Sequence, residues 1–296
     1  MPDCLLTASA PDAGVIFVAG ITTDLVCEAQ ARHSLSPTAS AAVGRLMTGA
    51  ALLGASLKGR ERISLQIAGD GPLRGVVADV MTLRNGRIGV RGYAKNADVD
   101  VPLNASGKFD VRGALGKGSL QVTKSYEVGQ PYVGIVPLVS GEIAEDLASY
   151  LLNSQQIPSV VALGVLANRN GIVAAGGIIG QVLPGADERA IADLEKRAKT
   201  ISPITTQIAD GAGPPELLHS LAGNTEIKES NRALVEFACR CTREKVEVAL
   251  LGLGRDELLK MATERAQTEA TCEFCKQVYV LSSTEIAELV DRLKKA

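Results

Sequence analysis

Four cysteines carry the strongest chemical signal in this chain. Cys239-x-Cys241 is followed, thirty residues later, by Cys272-x-x-Cys275. Sulfur pairs close in sequence supply soft ligands in twos, and a tetrahedral zinc site takes four of them. In extended backbone, residues two apart face the same side, so Cys239 and Cys241 can both reach one ion. The same pairs could instead close two short disulfides or run dithiol chemistry. Three readings therefore stay open on the residues alone: a structural zinc, a zinc site that oxidation dismantles, and a thiol–disulfide oxidoreductase. The third is weakened because the Cys-x-x-Cys lacks a thioredoxin-like strand–helix setting.

Arg240, Arg243, Lys245 and Lys276 lie beside the sulfurs in sequence and predict thiolate character, partly offset by Glu236, Glu244 and Glu273. A zinc-bound thiolate remains oxidisable where solvent reaches it, and oxidation removes the ligand. Cys4 and Cys27 are isolated and read as ordinary thiols.

Other motifs fall short. Gly113-Ala-Leu-Gly116-Lys117-Gly118-Ser119 misses a phosphate loop: Gly118 stands where Ser or Thr must follow the Lys, and Val111 where the first Gly belongs. No G-x-G-x-x-G follows a predicted strand. His33 and His219 have no evident partner and read as surface or capping residues. Glu142, Glu145 and Asp146 cluster at a predicted helix N-terminus, where carboxylates are stabilising without any catalytic role.

The elements that must hold the cysteines lie in residues 234–296. Asp256–Glu264 reads as a helix and Val278–Leu281 as a strand. Ser282 with Glu285 forms a capping box before a helix with Ile286, Leu289, Val290 and Leu293 on one face. A module this small can scarcely hold itself together by apolar burial. Structural zinc supplies an apparent ~10–16 kcal/mol, so metal loss should unfold it.

Residues 1–183 read as a larger mixed sheet-and-helix domain, making the fold class α+β. Ser36 and Pro37 open a helix carrying Val43, Leu46, Met47, Ala50, Leu53 and Leu57. Its many alanines and glycines predict close packing on a sheet. Strands are predicted at Ile63–Ile67, Val76–Val80, Ile88–Tyr93, Phe109–Val111, Leu120–Lys124 and Val133–Pro137, with Asn85-Gly86 as a hairpin turn. Ser140 is expected to cap a second helix through Leu151, and Val160–Ala167 and Ile172–Val182 to form a hairpin. Residues 184–233, from the charged stretch Asp187–Lys199 to the break Gly211–Pro215, read as a helical linker of low local stability or, equally, a rigid spacer.

Composition limits the partners. The chain has 296 residues, 46% hydrophobic content, a net charge of −2 and only 3% aromatics without Trp. That offers neither an electrostatic drive toward nucleic acid or membrane nor a base-stacking surface. No apolar run approaches the roughly 18 residues of a membrane span. Asp3 stands where a signal peptide would be basic, so a cytosolic protein is expected, where paired cysteines more often mean metal than permanent disulfide.

Phe237-Ala-Cys-Arg-Cys241 with Cys272-Glu-Phe-Cys275 resembles the thirty-three-kilodalton heat-shock chaperone family, the redox-regulated holdases of bacteria. Arg32-His33, Ser36-Pro37-Thr-Ala39, Gly44-Arg45-Leu46, Gly69–Pro72, Arg91-Gly-Tyr93, Leu103-Asn104 and Gly107-Lys108 are similar to it as well. So are Pro137–Leu147, Ile157-Pro-Ser159 and Leu183–Ala186. Two departures are visible: Gln155 where the family usually has Glu, and Lys276 where Gly or Asn is common. Neither is a ligand.

The resemblance implies one zinc per chain on Cys239, Cys241, Cys272 and Cys275 in an inactive reduced form. It implies oxidation to the disulfides Cys239–Cys241 and Cys272–Cys275, zinc loss, and unfolding of the module 234–296 and linker 184–233. It further implies a homodimeric active form that holds unfolding client proteins without ATP, and no enzymatic activity. The rivals are a zinc module acting on nucleic acid or ribosome, and an oxidoreductase.

Overall fold

The protein is described from a computed structural model covering residues 1–186 and 188–293. Asp187, where the charged linker stretch was expected to begin, lies outside these residues, as does the side chain of Leu293. The chain forms two compact units, Met1–Ala238 and Cys239–Ala296.

The larger unit is built on one ten-stranded sheet. The chain opens with β1 (Cys4–Ala10), β2 (Val15–Ile21) and helix α1 (Thr23–His33). Helix α2 (Pro37–Gly54) follows, with Ser36 as its N-cap accepting the Ala39 N–H at 3.1 Å. Then come β3 (Arg62–Gly69), β4 (Gly75–Thr82), β5 (Ile88–Ala94), α3 (Val111–Leu115), β6 (Gly118–Ser125), β7 (Tyr132–Pro137), α4 (Ala144–Gln155), β8 (Ser159–Asn168) and β9 (Gly171–Val182). Helices α5 (Glu188–Thr200), α6 (Ile204–Ala209) and α7 (Pro214–Ala222) precede the last strand, β10 (Lys228–Phe237). The sheet order is β7-β6-β3-β4-β5-β10-β1-β2-β9-β8. Strand β10 joins its two halves, antiparallel to β1 and parallel to β5 over Val235–Phe237.

Alternation along the strands sends side chains to two apolar clusters. On one face Leu5, Val18, Ala175 and Ile179 meet α2, whose Leu46, Met47 and Ala50 are fully buried. The small residues of α2 permit this approach: a Cβ at Gly44 would stand 2.7 Å from Val165 Cγ2. On the other face Leu6, Phe17, Ile178 and Val182 are covered by Leu194 of α5, Ile204 of α6, and Leu217, Leu218 and Leu221 of α7. The segment read as a linker of low local stability or a rigid spacer thus buries Leu217, Leu218 and Leu221 completely and Leu194 nearly so.

Two local expectations are corrected. Phe109–Val111 is not a strand, because the Asp110 carboxylate accepts the Gly113 N–H at 2.8 Å and caps α3 instead. Ser140 does not cap α4, which starts at Ala144. The fully buried Asp146 takes that role, accepting N–H groups of Val139, Ser140, Gly141 and Ile143. Glu142 pairs with Arg45 at 2.5 Å, so it and Asp146 serve the fold.

The smaller unit holds α8 (Arg243–Leu251), α9 (Arg255–Glu264), the hairpin β11 (Gln267–Thr271) and β12 (Val278–Ser282), and α10 (Ser283–Leu293). The expected capping box is present: Ser282 N–H donates to Glu285 at 2.8 Å, and Glu285 N–H to Ser282 Oγ at 3.3 Å. Its core is Leu250, Leu258, Leu281, Ile286, Leu289 and Val290.

Candidate metal centre

The two cysteine pairs are placed by different local devices in the smaller unit. Cys239 and Cys241 lie in the irregular segment after β10, ended by Thr242, whose hydroxyl accepts the Lys245 N–H and starts α8. Cys272 and Cys275 lie in the β11–β12 turn. There Cys272 N–H donates to Gln277 O at 2.9 Å, and Lys276 N–H to Cys272 O at 2.8 Å. Lys276 has φ +58°, a left-handed conformation that favours Gly or Asn, which is why those residues suit this position.

The fold brings all four sulfurs together. Every pair lies within 4.8 Å, with Cys239–Cys272 at 3.7 Å and Cys241–Cys275 at 3.2 Å. A tetrahedron of sulfurs bound at roughly 2.3 Å has edges of about 3.8 Å, so the set fits one thiolate-bound ion such as zinc. Among the described residues it is the one cluster of three or more potential ligands.

Burial pushes the Cys272 thiol up, against backbone N–H groups of Cys275 and Phe274 that face its sulfur. Cys275 is likewise raised, by burial first and then by the neighbouring sulfurs. A divalent cation would invert this balance and hold the sulfurs as thiolates. Three of the flanking cations that were expected to favour thiolate have partners other than the sulfurs. Arg243 is paired with Glu285 and Glu247, Lys276 bonds Glu273 at 3.0 Å, and Lys245 Nζ donates to Arg240 O. One side chain not anticipated from the sequence reaches the cluster: the Tyr279 hydroxyl donates to Cys241 Sγ at 3.1 Å. Strand alternation was its available signal, since Tyr279 and Leu281 turn inward between exposed Val278 and Val280.

The remaining candidates stay apart from this centre. Cys4 is buried in β1, and Cys27 lies on α1 with its sulfur 3.9 Å from Ile172 O; burial raises both thiols. His33 is no surface residue; it is buried and stacked on Tyr93 with ring centroids 6.4 Å apart. His219 Nδ1 lies 2.8 Å from Pro215 O on α7. The near-miss phosphate loop serves the fold: Lys117 N–H donates to Asp70 Oδ1 at 2.7 Å, placing a carboxylate where an anion would sit. Gln155 accepts from Lys124 Nζ at 2.8 Å, far in sequence from the cysteines. No helix among the described residues is long and apolar enough to cross a membrane.

Comparison with known proteins places the whole chain. The chain is 41% identical over 292 residues to the 33 kDa chaperonin of Acetivibrio thermocellus, covering 98% of this chain and 97% of that protein. It is 42% identical over 293 residues to the 33 kDa chaperonin of Bacillus subtilis, covering 98% and 99%. The crystal structure of the 33 kDa chaperonin (heat shock protein 33 homolog) from Thermotoga maritima superposes with a TM-score of 0.91 at 36% identity, covering both chains completely. The family profile described as Hsp33 protein matches residues 3–282, and the chain belongs to the Hsp33 chaperone family.

Proposed function

We propose that this protein is an oxidation-activated, ATP-independent holdase rather than an enzyme, acting in the cytoplasm. Cys239, Cys241, Cys272 and Cys275 hold one zinc per chain in the reduced form. Oxidation joins Cys239 to Cys241 and Cys272 to Cys275. For each disulfide two thiolates give up two electrons to one hydrogen peroxide, which takes two protons from solvent and leaves as two waters. Sulfurs tied in disulfides are lost as ligands, and the six-residue core must then hold the smaller unit alone. Disulfides across such short loops restrain the unfolded chain only slightly.

The observation that carries this reading is the coincidence of the four-sulfur cluster with so small a core in one unit. The second part of the switch is the linker 184–233. Loss of order there bares Leu217, Leu218 and Leu221, and also the sheet face of Leu6, Phe17 and Ile178 that they cover. Such an apolar surface suits unfolding client proteins. The active form is a homodimer, and neither nucleic acid nor membrane is a partner. Light scattering of a heat-denaturing client tests the reading. Suppression should appear after peroxide with mild heat, without ATP, and disappear after thiol reduction. A reduced, zinc-loaded protein that was already fully active would refute the switch.

A further inference from the structure

We propose that the Tyr279 hydroxyl is a positioning group for Cys241: its hydrogen bond holds this sulfur's charge and restrains its attack on peroxides. The inference rests on the reading of the four cysteines as thiolate ligands in an oxidisable switch. Its own basis is the 3.1 Å contact between Tyr279 Oη and Cys241 Sγ. The tyrosine is held at both ends. Its ring packs on the core of the smaller unit, and its backbone pairs with Ala270 across the hairpin. Packing alone would be served by phenylalanine, so the hydroxyl is the part that packing leaves unexplained.

Four thiolates around a divalent cation carry excess negative charge, and donors in the surrounding shell stabilise it. At Cys272 and Cys275 backbone N–H groups of Phe274, Cys275 and Gln277 are such donors, which no side-chain substitution removes. At Cys241 the donor is a side chain. Oxidation begins when a thiolate attacks one oxygen of hydrogen peroxide. The S–O bond forms, the O–O bond breaks, and hydroxide leaves and is protonated to water. A second thiolate then displaces the sulfenic oxygen, the S–S bond forms, and hydroxide again leaves as water. A sulfur electron pair engaged with the Tyr279 proton is less available for the first attack.

Tyr279→Phe in the full chain tests this. The cobalt(II)-loaded, reduced variant should show its sulfur-to-cobalt charge-transfer bands at lower energy than the parent, with the tetrahedral visible bands kept. Peroxide-driven release of zinc, followed with a chromophoric chelator, should run roughly three- to tenfold faster. Leu281→Val trims packing on the same strand without touching a sulfur and should leave the charge-transfer bands in place. Unchanged bands and rates in Tyr279→Phe, or an equal band shift in Leu281→Val, would overturn the proposal while leaving the ligand assignment standing. A parent protein giving no thiolate–cobalt spectrum would overturn the ligand assignment itself, and this inference with it.

Discussion

In Met1–Ala238 apolar side chains cover one face of a ten-stranded sheet and, at β1, β2, β8 and β9, the other face as well, whereas the described residues of Cys239–Ala296 gather six in one buried cluster. Burial contributes on the order of 1.5–3 kcal/mol per large side chain, against about 1–2 kcal/mol lost for each residue ordered. The larger unit can meet that cost by packing. The smaller one cannot, and it is the one with four sulfurs within 4.8 Å. On the proposed reading a metal does for the smaller unit what hydrophobic burial does for the larger, whose two thiols, Cys4 and Cys27, stand apart from any such cluster.

The contrast is broken most directly by removing metal. A zinc chelator under reducing conditions should abolish amide protection across residues 239–293 and spare the strands of the larger unit. The lost contribution is an apparent ~10–16 kcal/mol. Equal loss in both units, measured by hydrogen exchange, would show that they do not fold by separate means.

Core truncations sharpen it next. Leu258→Ala removes a fully buried side chain from the six-residue core, at a cost of about 2–5 kcal/mol. Because folding and metal binding are linked there, zinc affinity in a competition titration should fall by roughly 30-fold or more. Leu218→Ala should cost a similar amount but leave zinc affinity unchanged. Its effect should appear as binding of a hydrophobic dye to the reduced protein, as α7 loosens from β1 and β2.

Acid titration separates the units on a smaller scale. Burial outweighs the N–H groups of Leu25 and Asp24 that Asp3 accepts, and raises its pKa from 3.8 to about 6. The folded state thus binds the proton more tightly than the unfolded one. Stability from this group is full below pH about 4 and is lost as pH rises through 6, about 3 kcal/mol in all. Relative to Asp3→Asn, the parent's larger unit should lose stability across that window in denaturant melts, with no such difference in zinc affinity. A difference that stayed flat with pH would refute the assignment.

The smallest effect is expected at Lys276→Gly. Relief of the left-handed backbone is worth about 1 kcal/mol, offset in part by the Glu273 pair. Thermal melting of the zinc-loaded protein should rise by a few degrees; a clear fall would show that the ion pair outweighs the strain.

Much of the candidate site was legible in the sequence because its determinants are local. The cysteine spacings, the Ser36-Pro37 start of α2 and the Ser282–Glu285 box each act within a few residues. The strands β1 and β2 carried no reading, since their burial on both faces hides period-two alternation. Strand β10 opens Lys-Glu-Ser-Asn-Arg, a run with no strand-like pattern, and is recruited by backbone pairing with β1 from the far end of the chain. The leucines of α7 lie in the stretch read only as a helical linker or spacer. The surface they cover, made of residues near 6, 17 and 178, was not legible. The Tyr279 contact was hidden likewise, because it spans 38 residues.

The place of β10 also sets a schedule for synthesis. Cys4 pairs with Leu234 and Ser9 with Lys228, so the two halves of the sheet cannot be joined until residue 237 has been made. At about 5–20 residues per second, β1 waits on the order of ten to fifty seconds for this neighbour. The edge of β1 stays open for that interval, and that of β5, made later, for roughly seven to thirty seconds. A chain that itself belongs to a chaperone family therefore passes through a nascent state with unpaired strand edges, and soon after the closing strand come the cysteines of the sulfur cluster, beginning with Cys239.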